Sequence, residues 1–204
     1  EEANQNDDIG SNISGNITIE EGSEYKNPEV TLTGTTTSGN NGWVKSASIN
    51  ANVTTQTGKY EALYCTTTED SCTPNTSANI SDNTFSVTLN NNSSAQKVCV
   101  EVTDEYNQIA SGCSESYQVD GEIPTVTIAS TSVTENSITV TVNGSDTHSG
   151  IVQYRFSSDN GSSYTTVSST NNSYTYTFNG LNSGTTYNIA VQVVDAAGNT
   201  SSII

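Results

Sequence analysis

The chain has no methionine, one histidine, one tryptophan and three prolines. Positive charge is also scarce: five Lys and Arg stand against 22 Asp and Glu, for a formal net charge of −17 at pH 7. A surface that acidic repels phosphate, which argues against nucleic acid and an anionic bilayer as partners. No apolar run approaches the roughly 20 residues of a membrane-spanning helix, so no membrane insertion is expected. GxSxG, HExxH and Gly-rich phosphate-loop signatures are missing as well, and no catalytic residue can be nominated. The chain reads as a non-enzyme.

Apolar residues make up only 31% of the 204 residues, whereas Ser, Thr and Asn supply roughly two-fifths. Short strands with one wet face suit such a composition, because they need an apolar side chain only at alternate positions. The ten Tyr and the abundant Val, Ile and Thr favour strands too. In "TYNIAVQVVDAAGNTSS" the alternation is explicit: Tyr187, Ile189, Val191 and Val193 share one face, and Asn188 and Gln192 the other. Asp195 ends the run by capping the next backbone N–H groups, and Gly198 supplies a left-handed turn residue, so "DAAGN" reads as a hairpin turn.

The same order of features occurs earlier, in "KVCVEVTDEYNQIASG", where Val98, Val100 and Val102 form the inward set. "TGKYEALYCTTTEDSC" likewise matches "HSGIVQYRFSSDNGSSY". Gly121 and Pro124 separate the two units. The expected fold is all-β, two tandem Ig-like (Greek-key) β-sandwiches, with residues 1–24 an acidic leader, 25–120 the first sandwich and 121–204 the second. The leader holds Glu1, Glu2, Asp7, Asp8, Glu20, Glu21 and Glu24 without a Lys or Arg, and a short strand is expected at "NITIE".

"GLNSGTTYNIAVQVVDAAGN" resembles the end of a fibronectin type III domain: Leu181, Gly184, Thr185 and Tyr187 stand where that family keeps its Leu, its Gly-Thr and its corner tyrosine. The first unit resembles the bacterial Ig-like modules that occur in tandem on surface proteins, with "VTDEYNQIA" at the characteristic turn, although Gln96 stands where a corner tyrosine would. The resemblance implies an extracellular, cell-surface location and a stalk, filament or adhesive role. It also implies neighbouring domains or copies of the same chain as partners, or a surface glycan or protein. An ancillary binding module of a larger secreted enzyme or adhesin is the alternative. A glycan-binding role would need an exposed aromatic patch, for which Tyr154, Tyr164, Tyr174 and Tyr176 are the candidates, with Tyr154 and at least one other expected in the core.

Four cysteines at non-zinc spacings in a strand-rich polar chain suggest two disulfides and an oxidising compartment. Cys99 alternates with the inward valines and should face outward. Cys99 and Cys113 are equidistant from Tyr106 and so oppose each other across one hairpin, and Cys65 and Cys72 bracket "TTTEDS". The expected pairs are Cys65–Cys72 and Cys99–Cys113; Cys65–Cys99 with Cys72–Cys113 stays open.

Two polar groupings remain. "SDTHSG" strings Asp146, His148 and Ser149 along one turn, where the members of a hydrolytic triad rarely converge. In a head-to-tail pair of sandwiches, the linker meets the second module's B–C and F–G loops. Asp120, Glu122, Asp146, Asp195 and Asn199 would then gather as hard oxygen ligands, for which calcium is the fitting cofactor. The other reading is that these acids only cap turns and stay hydrated. No other cofactor is implied.

Overall fold

The structure, a computed structural model, describes residues 24–37 and 39–204. The acidic leader up to residue 23, with its expected "NITIE" strand, lies outside the described residues. The first half contains β1 (Glu29–Thr36), β2 (Trp43–Val44), β3 (Ala47–Thr54), β4 (Tyr60–Thr67), β5 (Thr76–Ser77), β6 (Thr84–Leu89), β7 (Ser93–Asp104), β8 (Ile109–Cys113) and β9 (Tyr117–Val119). The second contains β10 (Thr125–Val133), β11 (Ser137–Ser145), β12 (Ile151–Ser157), β13 (Thr165–Ser168), β14 (Ser173–Asn179) and β15 (Ala190–Asp195).

Both halves pair their strands in one way. In the first, β1–β3–β6 faces β2–β9–β7–β4–β5, with β8 also on β7. In the second, β10–β11–β14 faces β13–β12–β15. Residues beyond β15 return along it: Ser201 N–H donates to Val193 O at 2.9 Å and Ile204 N–H to Val191 O at 3.2 Å. The last return strand of the first half is split. Ser114, Glu115 and Ser116 interrupt it, and Ser114 Oγ accepts the Val98 N–H at 3.1 Å between β8 and β9.

Period-two burial builds both cores. Ala47, Ile49, Ala51 and Val53 of β3 and Phe85, Val87 and Leu89 of β6 meet Val98, Val100 and Val102 of β7, all buried. The second core forms a separate cluster around Val140, Val142, Tyr154, Phe156, Val191 and Val193, with Ile189 packed against it. The threonine-rich composition has its place on the wet face, where Thr139 meets Thr177 and Thr141 meets Thr175, each pair at 2.9 Å between hydroxyls. Such cross-strand pairs support a sheet without apolar side chains. Tyr187 and Ile189 precede β15 instead of lying in it, and the Tyr187 hydroxyl accepts the Asn182 N–H at 2.9 Å. That bond fixes the corner by which the chain crosses between sheets.

The disulfides are Cys65–Cys72 and Cys99–Cys113. Cys99 lies outside the valine core cluster, on the opposite face of β7 as its alternation suggested, yet it is only 3% exposed. Cys65, Cys99 and Cys113 lie side by side across β4, β7 and β8, so Cys99 is flanked on both sides. The face opposite the core is covered locally by sulfur and by the loop carrying Cys72, which alternation alone does not reveal.

Candidate functional site

The end at which the chain enters the second sandwich is built from the linker after β9, the β11–β12 loop and the turn after β15. Each segment contributes one aspartate, held by backbone N–H groups. Asp120 Oδ1 accepts from Glu122 N–H at 3.0 Å and Oδ2 from Ser149 N–H at 3.1 Å. Asp146 Oδ1 accepts from His148 N–H at 3.1 Å and Gly150 N–H at 2.7 Å, with Gly150 at φ 77° closing the loop. Asp195 Oδ1 accepts from Asn199 N–H at 2.7 Å across a turn whose left-handed residue is Gly198, φ 91°.

These three segments bring the carboxylates together: one oxygen each of Asp120, Asp146 and Asp195 lie within 4.8 Å of one another. Asp120 and Asp195 are fully buried. Asp146 Oδ2 is sealed from solvent and has no hydrogen-bond partner. Burial pushes the Asp195 carboxyl up from its usual value; hydrogen bonds from Asn199 oppose this, and the charges of Asp120 and Asp146 add to it. No Lys or Arg makes an ion pair with any of the three among the described residues.

The remaining two residues of the expected set are placed differently. Asn199 bridges, its Nδ2 donating to Asp195 Oδ2 and to the Asp120 carbonyl, both at 2.8 Å. Glu122 turns away: its Oε2 accepts from Asn92 Nδ2 at 3.3 Å and lies 3.4 Å from His148 Nδ1. Asp146, His148 and Ser149 do not form a triad. Asp146 holds backbone, His148 faces Glu122, and Ser149 Oγ accepts the Ala197 N–H at 3.3 Å.

The first sandwich closes over this end. Asp120 N–H donates to Val44 O at 2.9 Å, and Gly121 N–H to Asn92 Oδ1 at 2.9 Å. The loop before β2 reaches across, with Asn40 N–H donating to Ala196 O at 2.7 Å. Ala196 and Ala197 are 2% and 0% exposed in consequence. Gly39 permits that approach, since a Cβ there would stand 1.8 Å from Trp43 O and 3.3 Å from Ala197 O. Asn40 and Asn92 escaped the sequence reading; "SGNNGW" signals a loop, but nothing in it says what the loop touches.

The entry end of the first sandwich has the same plan with fewer acids. Asp104 Oδ1 accepts from Tyr106 and Gln108 N–H, both at 2.9 Å, and Asn107 at φ 60° takes the part of Gly198. Thr55 Oγ1 accepts the Gly58 N–H at 2.9 Å, as Asp146 does for Gly150. Tyr25 donates its hydroxyl to Asp104 Oδ2.

Three of the four aromatic candidates for a glycan platform, Tyr154, Tyr174 and Tyr176, belong to the second core. Tyr154 is fully buried, and Tyr174 and Tyr176 are half-buried in stacks with Tyr154 and Phe156. Tyr164 is half-buried with its hydroxyl sealed and unpartnered.

Residues 122–203 match the fibronectin type III domain family. Solved structures similar to the chain include a two-domain fibronectin type III segment of chicken tenascin, 15% identical, TM-score 0.36, covering 88% of this chain and 97% of that one. Another is a chain of a cytokine receptor complex, 12% identical, TM-score 0.38, covering 86% of this chain and 99% of that one. No curated protein matches by sequence. The matched stretch, residues 122–203, is the second sandwich, and the sandwich before it repeats its strand pairing.

Proposed function

We propose that the chain is an extracellular spacer, a structural or adhesive segment of a bacterial cell-surface protein that forms part of a stalk or filament. The observation that carries this reading is the junction. The linker around Asp120 is hydrogen-bonded to Val44 and Asn92 on one side and to Ser149 and Asn199 on the other. Domains joined by a short linker move freely unless something beyond the chain connects them. Here two buried alanines and backbone bonds make that connection, so a load or a distance is transmitted through the pair. The division at 120–121 between a first domain, 25–120, and a second, 121–204, belongs to this reading, as does an oxidising surface location for the two disulfides.

The test is ¹⁵N relaxation of the full chain. Both sandwiches should tumble with one common correlation time, and replacement of Asn92 by Gly, which removes its side-chain acceptor, together with Gly39 by Ala, whose Cβ would collide with Trp43 O, should separate the two values. Independent tumbling of the wild-type sandwiches would rule the spacer reading out. One observation favours a binding role at the other end: the Tyr25 and Tyr106 rings meet edge-to-face at 5.2 Å and are 38% and 54% exposed. The equivalent turn of the second sandwich carries alanines buried under its neighbour, so this aromatic pair is where a glycan or another protein domain would dock.

A further inference from the structure

We infer that Asp120, Asp146 and Asp195 form a binding site for a divalent cation of calcium's chemistry at the junction of the two sandwiches. Three observations carry it.

The first is the sealed Asp146 Oδ2, which has no donor at all, whereas both oxygens of Asp120 and Asp195 have one. A buried carboxylate oxygen left without a partner is costly. This one belongs to a group whose other oxygen already serves the loop.

The second is the charge. Two fully buried carboxylates and a third beside them have no basic partner among the described residues, and residues 121–204 contain no Lys and only Arg155. Arg155 is occupied elsewhere, its Nε donating to Gln153 Oε1 at 3.0 Å. Buried charges are paired or coordinate metals.

The third is internal to the molecule. The entry end of the first sandwich makes the same turn and the same loop closure with Asp104 and Thr55, and there a tyrosine hydroxyl meets the spare oxygen of Asp104. Turn capping at this place therefore requires one acid. The second sandwich has two more than the fold needs, and they converge.

The donor set selects the ion. It is all oxygen, without His or Cys, which suits a hard cation. Calcium accepts six to eight oxygens in irregular arrangements; three carboxylates binding through one or both oxygens supply three to six, and water the rest. Magnesium demands a near-ideal octahedron and gives up water reluctantly, so it fits a half-buried site of mixed loop origin poorly. The ion would tie the linker to both loops of the second sandwich. Since the linker is also bonded to the first sandwich through Val44 and Asn92, calcium would stiffen the pair as well as stabilise the second domain. The site stands whether or not the chain is a spacer, because its readout is ion binding and not tumbling.

The experiment uses the full chain freed of metal with EDTA, then given calcium chloride or magnesium chloride. Isothermal calorimetry should show one calcium per chain with affinity in the range of extracellular modules, about 10⁻⁴–10⁻³ M. At about 10 mM calcium the melting temperature should rise by several degrees. Asp146→Asn keeps an oxygen for the His148 and Gly150 N–H groups, so it should fold and lose the calcium-dependent rise; Glu122→Gln should retain it. Equal melting temperatures in EDTA and calcium would overturn the proposal. So would a rise that Asp146→Asn leaves intact, which would assign the ion to other acids, or an equal rise with magnesium, which would remove the selectivity.

Discussion

Replacing Asp195 by Asn should change stability in opposite directions with and without calcium. The three carboxylates approach within 4.8 Å, and two unit charges at that separation repel by about 3.5 kcal/mol at an effective dielectric constant of about 20. Asp195 faces two such charges, so ionising it beside them would cost about 7 kcal/mol, comparable with the stability of a whole domain. The metal-free protein has a cheaper route. Taking up one proton at pH 7 against an ordinary carboxyl value of 3.8 costs about 4 kcal/mol, which caps the penalty. Asparagine removes this penalty but weakens the hydrogen bonds from Asn199 by roughly 1 kcal/mol and sets one amide group against another. A net gain of about 1–3 kcal/mol is expected in EDTA at pH 7. In saturating calcium the same substitution removes a ligand and should destabilise. Urea unfolding is followed by near-UV circular dichroism, to which the stacked Tyr154, Phe156, Tyr174 and Tyr176 of the second core contribute, and by Trp43 fluorescence, which separates out the first sandwich. Equal destabilisation in EDTA and calcium would refute the reasoning. It would mean that Asp195 acts only as a turn cap and that the neighbouring charges are screened.

Two further outcomes are expected. Asp159 lies well below the ordinary carboxyl value, at about 2, because the Ser157 and Ser163 hydroxyls and the Ser163 N–H donate to it. A depressed folded value contributes stability above pH 3.8 that is lost as pH falls toward 2, so Asp159→Asn should flatten the acid limb of unfolding midpoint against pH. Reduction of the disulfides should lower the first sandwich by about 2–3 kcal/mol for each small loop and leave the second unchanged, as read from urea midpoints with and without dithiothreitol; Trp43 fluorescence follows the first sandwich.

The strand phases were legible because burial repeats every second residue and the polar residues between are so uniform. Val98, Val100 and Val102 could be assigned inward from one line of sequence, and Asp195 and Gly198 could be read as a turn from local chemistry alone. Cys99 marks where that logic ends: alternation gives the side of a strand but not what neighbouring strands and loops place over it. The tyrosines show the same limit, since Tyr174 and Tyr176 have polar tips and apolar rings and only the opposing sheet decided that the rings are covered.

For the acidic site, the sequence supplied the five oxygen-bearing residues through the repeat and the expected meeting of loops at a domain junction. It could not separate Asp120, Asp146 and Asp195, which converge, from Glu122, whose longer side chain reaches Asn92 and His148 instead. Nor could it see Asn40 and Asn92, because their roles depend on the first sandwich lying against the second. Alternation and turn chemistry are local, and a single sequence carries them openly. Which side chains share a buried space 26 to 75 residues apart depends on how two finished sandwiches meet, and that only the tertiary structure decided.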